Sequence, residues 1–176
     1  DVHVTDLVSG RETLDDVNMI VFVGGFSNAD TLGSAKGWAG ALLYNKKAKE
    51  TIDRFYARKD TLSLGVCNGC QLMAGLGLIT PEKREESPKM KHNLSGKFES
   101  CFTGVHIEES PSIMLKSLQG SSLGIWVAHG EGRFSFPGEI VENGTFANAQ
   151  ELFRNCKPAV TYCYNAYPGN PNGSPM

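Results

Sequence analysis

The sequence predicts an α/β fold: a doubly wound, mostly parallel sheet. Short apolar runs rich in β-formers alternate with segments of helical period. The first run is apolar at every position, as expected of a strand buried on both faces. The second passes through a glycine-flanked turn directly into a helical stretch, and strand-to-helix turns of this kind place sites at the carboxyl ends of the strands. A length of 176 residues suits one domain and a single core.

The N-terminal Asp1-Val2-His3-Val4-Thr5-Asp6 has no initiator Met, basic region or apolar core, so it reads as part of an excised piece rather than a signal peptide. Met19-Ile20-Val21-Phe22-Val23 is the first strand, ended by Gly24-Gly25. Trp38, Ala41, Leu42, Ala48, Ile52, Phe55 and Tyr56 then recur at helical intervals between charged residues, which predicts one amphipathic helix. Leu62-Ser63-Leu64-Gly65-Val66 is the second strand and leads through Cys67-Asn68-Gly69-Cys70-Gln71 into a helix. Residues 80–92 are polar and Pro-bounded, a surface loop with no assigned chemistry. Residues 100–108, 124–128 and 158–164 read as further strands and residues 146–155 as a short helix, while the tail from Tyr167 is turn chemistry.

Composition excludes several classes. With 17 basic and 19 acidic side chains the formal charge is -2, which gives no electrostatic footprint for nucleic acid or an anionic membrane. No apolar run approaches the roughly 18 residues of a spanning helix. Five cysteines, an odd number without a framework spacing, fit reduced thiols in the cytoplasm.

Gly65-Val66-Cys67-Asn68-Gly69 has the construction of the G-x-S-x-G nucleophile elbow with sulfur in place of oxygen. The glycines permit a strained turn, and a thiolate at a helix N-terminus is favoured by the dipole and by free backbone N–H groups. The residues leave alternatives open: a buried structural Cys, or a C-x-x-C redox pair formed by Cys67 and Cys70. Half of a zinc site is disfavoured, because Cys156 and Cys163 lie six residues apart and no His pair has ligand spacing. Gly24-Gly25-Phe26-Ser27 lacks the further glycines of a dinucleotide fingerprint and the Lys of a P-loop, and a second oxyanion donor is the better use of that turn.

The elbow Gly65 to Gln71 resembles that of the class I (triad) glutamine amidotransferases. Further segments resemble the phosphoribosylformylglycinamidine synthase family, in its long single-chain form. They are Val23-Gly24-Gly25-Phe26-Ser27 with Gly37-Trp38-Ala39, His92 to Glu99, Val127-Ala128-His129-Gly130-Glu131-Gly132-Arg133, and Asn170-Pro171-Asn172-Gly173-Ser174-Pro175. The resemblance runs over most of residues 19–175. It departs at Asn28-Ala29-Asp30, where the family has an aromatic residue and a Gly before the Asp.

This resemblance implies the flavodoxin-like sheet of those amidotransferases and an amidase half-reaction. Cys67 is the implied nucleophile on the side-chain amide of glutamine, Gly25 and Asn68 the oxyanion hole, and Gln71, Asn93 and Phe98 the implied substrate-binding residues. The domain itself carries no cofactor or metal. Its implied partner is a synthetase domain of the same chain, which uses ATP and magnesium to aminate formylglycinamide ribonucleotide with the released ammonia. The family's base and its Glu lie in a Pro-His-Pro-Glu segment after the Asn170 to Pro175 loop, so His129 with Glu131 is a separate motif. Residues 1–176 thus read as one incomplete glutaminase domain, truncated at both ends, without its first βα unit and its His/Glu segment. The fragment is expected to be inactive alone, with exposed sheet edges open to self-association. The competing readings are a non-catalytic structural fragment and a redox or Cys-peptidase-like protein of similar fold.

Overall fold

The computed structural model describes residues 1–142, 145–146 and 158–174. The chain divides into two compact units, Asp1–Ser87 and Pro88–Met176.

In the first unit, helix α1 (Val4–Ser9) precedes strand β1 (Met19–Phe22), which pairs in parallel with β2 (Leu62–Gly65), Met19 opposite Leu62 and Phe22 opposite Gly65. Parallel neighbours need a crossover connection, and α2 (Lys36–Tyr44) with α3 (Lys46–Ala57) provides it. The expected single helix is in fact these two. Asn45 is extended (φ −97°, ψ 120°) and its side-chain oxygen accepts from the Ala48 N–H at 3.0 Å, so it ends one helix and caps the next. Ala48, Ile52 and Phe55 form the buried stripe of α3. They meet Leu42, Leu72 and Phe22 in one core, where Phe22 and Trp38 pack edge to face with centroids 6.1 Å apart. Arg58 staples the lead-in to β1: its Nη1 donates to the carbonyls of Leu14, Asp15 and Val17 at 3.3, 2.8 and 3.0 Å, while Asp60 accepts from Nε and Nη2.

β1 is not buried on both faces. Ile20 and Phe22 turn toward the core, but Met19, Val21 and Val23 are 42, 48 and 61% exposed, as are Leu62, Leu64 and Val66 on and beside β2 at 37, 38 and 46%. The cause is the strand period of two: α2, α3 and α4 (Asn68–Gly75) cover one side of the pair only.

In the second unit, β4 (Glu99–Ile107) pairs antiparallel with β5 (Ser122–His129) on one side and β9 (Val160–Tyr162) on the other. Alternation along β4 buries Glu99, Thr103, Val105 and Ile107 and exposes Phe102, which stacks edge to face on Trp126. The region expected to be a plain loop holds a 3₁₀ turn (Pro81–Glu86) in the first unit and, in the second, β3 (Lys89–Lys91). β3 pairs antiparallel with β6 (Arg133–Ser135). Glu139 closes that pair, accepting from Arg133 Nη1 at 3.1 Å, Ser135 Oγ at 2.7 Å and the Phe136 N–H at 3.0 Å. Burial works to raise its carboxyl, but these hydrogen bonds outweigh burial and hold it below the ordinary range. A two-residue ladder, β7 (Val141–Glu142) with β8 (Thr145–Phe146), follows. The helix expected over residues 146–155 lies, past Phe146, outside the described residues.

The architecture is mixed α/β. Parallel pairing is confined, among the described residues, to β1 and β2, and the other three sheets are antiparallel. This corrects the expected doubly wound, mostly parallel sheet for the part described. Among the described residues, β1 and β2 are the paired strands that have α-helices between them; β4 reaches β5 through loops and one short 3₁₀ turn (Lys116–Leu118), with no α-helix to carry a parallel crossover. No helix among the described residues is long and apolar enough to cross a membrane.

Candidate active site

The elbow is built where β2 runs into α4. The Val66 N–H donates to the Phe22 carbonyl at 2.9 Å, which latches the turn to the end of β1. The Gly69 and Cys70 N–H groups then donate to the carbonyls of Val66 and Cys67, each at 2.9 Å, and start the helix. Between them Cys67 takes φ 52° and ψ −109°, a backbone conformation that an L residue adopts only under constraint. Its side chain is solvent-exposed at the N-terminus of α4. With the Gly69 and Cys70 amides already engaged, the Asn68 N–H is the helix amide left at the open end, next to the thiol.

Both glycines of the motif are dictated by packing. A Cβ on Gly69 would collide with the Phe22 carbonyl, and one on Gly65 would lie 2.8 Å from the Cys70 nitrogen. The turn after β1 closes on the same place: a Cβ on Gly24 would stand 3.2 Å from the Cβ of Cys67. Gly25 has φ 133° and open space beside it, a conformation suited to glycine. The buried Asn68 side chain joins the two turns, accepting from the Ser27 N–H at 3.3 Å and donating to Gln71 Oε1 at 3.0 Å. Cys67, Asn68 and Gln71 are therefore brought together, and Gly25 lies in the adjoining turn between Gly24, which packs on Cys67, and Ser27, which bonds Asn68. Cys70, one helical turn on, is shielded, and burial together with the neighbouring Cys67 pushes its thiol above the ordinary value.

Asn93 and Phe98 belong to the second unit. Phe98 is 55% exposed, and Asn93 is a buried hub. Asn93 Nδ2 donates to the carbonyls of Lys97 at 2.9 Å and His129 at 2.7 Å. Its Oδ1 faces His129 Nδ1 at 2.9 Å, the Gly132 N–H at 3.3 Å and Asn172 Nδ2 at 3.3 Å. Because that oxygen can only accept, His129 carries its proton on Nδ1 and presents Nε2 as the basic nitrogen. The Leu94 N–H completes the clasp by donating to Asn172 Oδ1 at 3.0 Å. Sequence reasoning missed Asn172 as the partner of Asn93: the two are 79 residues apart, and no local pattern signals such a pair. It also missed Glu99, buried directly opposite His129 in the β4–β5 register.

Three outcomes follow from this geometry. Gly69→Ala should lower stability by about 2 kcal/mol or more in urea unfolding, since the clash is with backbone. Ala29 sits at φ 51° within a left-handed run from Asn28 to Asp30, so Ala29→Gly should stabilise by about 1 kcal/mol in the same assay. Burial, partly offset by Glu99, depresses His129 below its ordinary 6.5. The unfolded chain then takes up the proton more readily, so this contribution to stability is complete above about pH 7 and declines as pH falls through the range below 6.5. The urea midpoint should drop between about pH 7 and pH 5, and more steeply than in His129→Gln.

Residues 1–176 match the CobB/CobQ-like glutamine amidotransferase domain family. A probable chloroplastic/mitochondrial phosphoribosylformylglycinamidine synthase of Arabidopsis thaliana is 49% identical over 100% of this chain and 13% of its own length. The phosphoribosylformylglycinamidine synthases of Dictyostelium discoideum and Homo sapiens are 43 and 40% identical over 99% of this chain and 13 and 14% of theirs. The chain thus spans about one seventh of the length of these curated relatives. Among solved structures, a chain in the structure of PurLQS from Thermotoga maritima superposes with a TM-score of 0.64 at 24% identity, covering 93% of this chain and 61% of that one, a likeness of fold. A family match along the whole chain, over an elbow whose glycines and cysteine are fixed as described, shows that this chain belongs to the CobB/CobQ-like glutamine amidotransferase domain family.

Proposed function

We propose that this chain is the glutamine-hydrolysing part of a phosphoribosylformylglycinamidine synthase, with Cys67 as its nucleophile. The observation that carries the assignment is the strained, exposed Cys67 at the N-terminus of α4, with Gly24 closing against it. Cys67 Sγ attacks the side-chain carbonyl of glutamine. The Asn68 and Gly25 N–H groups hold the developing oxyanion, collapse expels ammonia, and water hydrolyses the glutamyl thioester to glutamate. Gln71, held by Asn68 in the first unit, and Asn93 and Phe98 in the second are the substrate-binding residues of this reading.

The base that serves Cys67 is a His in His-x-Glu spacing outside residues 1–176, so this glutaminase domain is completed by further chain. The β1–β2 pair is then one portion of a doubly wound parallel sheet. Ammonia passes to a synthetase domain of the same polypeptide, where ATP and magnesium drive amination of formylglycinamide ribonucleotide. Among the described residues no three His, Cys, Asp or Glu side chains converge to hold a metal ion, and no step of the amidase half-reaction needs one. Five cysteines, an odd number without a framework spacing, support a reducing compartment, the cytoplasm in this reading.

A chloroketone analogue of glutamine should label the chain with one equivalent at Cys67. Cys67→Ala should abolish labelling, while Cys70→Ser and His129→Ala should retain it. Ammonia release from glutamine by the 176-residue chain should be slow or absent. Labelling that needs Cys70 would overturn the assignment in favour of redox chemistry, and fast turnover lost in His129→Ala would move the base to His129.

A further inference from the structure

Apart from the packing of Gly24 on Cys67, the turn after β1 has little of its own to hold it. Gly25 stands at φ 133° with open space beside it, and among the described residues no hydrogen bond engages Gly24 or Gly25. Glycine loses more conformational freedom on being fixed than any other residue. Beyond the Phe22 carbonyl, the chain is next tied to another element at Ser27, whose N–H donates to Asn68 Oδ1 at 3.3 Å.

That bond also settles the sense of two side-chain amides. A backbone N–H can only donate, so the Asn68 atom facing Ser27 is its oxygen and the other is its NH₂ group. The NH₂ group donates to Gln71 Oε1 at 3.0 Å, and a spacing of three residues puts the two side chains on the same face of α4. Only an acceptor fits opposite that donor, so the Gln71 amide is turned with its oxygen toward Asn68 and its nitrogen away. Asn68 is 2% exposed, and a carboxamide at that depth is kept only where its polar atoms are partnered. One buried side chain thus links the backbone of the first turn to the amide of Gln71, while the N–H of the same residue stands at the open end of α4.

We infer that the Asn68 carboxamide is a positioning residue for the amidase step. Through Ser27 it holds the Gly25 N–H, two residues earlier, in register with the Asn68 N–H, so that the two donors form one preorganised hole. Through Gln71 it sets which end of that amide is offered to the substrate. The inference rests on the glutaminase reading and goes beyond it: Asn68 acts twice, once by its backbone at the oxyanion and once by a buried side chain acting through its neighbours. Donors that need no rearrangement as charge develops stabilise that charge most. A two-glycine turn released from Asn68 has to be ordered anew at each attack, and losing one donor of such a hole slows acyl transfer by about 10²–10³-fold.

The test compares two reagents on Cys67 of the 176-residue chain. The glutamine chloroketone places its ketone oxygen in the hole as sulfur displaces chloride, whereas iodoacetamide loses iodide to the same sulfur without using the hole. Asn68→Leu, close in size, should lower the limiting chloroketone rate roughly tenfold or more and leave the iodoacetamide rate within about twofold. Amide exchange at Ser27 should quicken roughly tenfold or more, with Cys70 still protected. Ser27→Pro removes the N–H from the other side of the bond and should lower the chloroketone rate alike; Phe26 lies outside the helical region (φ −130°, ψ 80°), which suits a following proline. The double variant should fall no further than Asn68→Leu alone, because both changes break one bond. An unchanged limiting chloroketone rate in either single variant would overturn the inference, as would a parallel fall with iodoacetamide, which places the damage at the thiol itself. Wild-type chain that takes no chloroketone at Cys67 overturns the glutaminase reading, and the inference with it.

Discussion

Of the glycines in the first unit, Gly69 is the most tightly set, where α4 approaches the Phe22 carbonyl at the end of β1. Nothing larger than hydrogen fits there. Because the helix starts so close to the strand, the chain leaving β2 has two residues in which to reverse, and Cys67 absorbs the reversal at φ 52°. The strain and the exposure of the thiol have one cause. The same approach brings Gly24 within van der Waals range of Cys67 and lets Asn68 bond Ser27, so the turn after β1 and the turn after β2 form one constellation.

In the second unit polar contacts do the corresponding work. Asn93 uses both its amide hydrogens and its oxygen to join three stretches of chain that are far apart in sequence. Gly132 belongs to this arrangement, since any side chain there would overlap the His129 ring. Buried networks of this kind are costly when partly satisfied and specific when complete, so they fix loops that no hydrophobic contact would hold. Glu139 plays a similar part for β3 and β6, with burial opposing its charge and four donors, Lys91 among them, sustaining it.

Much of the site was legible because its chemistry is local. The five residues Gly65 to Gly69 encode the elbow, since a sharp strand-to-helix turn needs glycines on either side of the strained residue. The departure at Asn28 to Asp30 was visible as a missing glycine, and the structure gives Ala29 the left-handed backbone that a glycine would take without strain. The break at Asn45 was not legible, because apolar residues keep helical spacing across it and only the cap geometry separates α2 from α3.

By itself the sequence determined the strands at residues 19–22 and 62–65, the elbow between β2 and α4, and the cysteine at its apex. These follow from neighbours in the chain, where period, glycine placement and capping act within a few residues. Only the tertiary structure decided that β1 and β2 pack on one face, that among the described residues β1 pairs with β2 alone, and that Asn93 meets Asn172 and His129. A strand's pattern of apolar residues states what it can bury but does not state what is available to cover it. Contacts between residues dozens of positions apart are settled when the chain folds, and no window of sequence contains both partners.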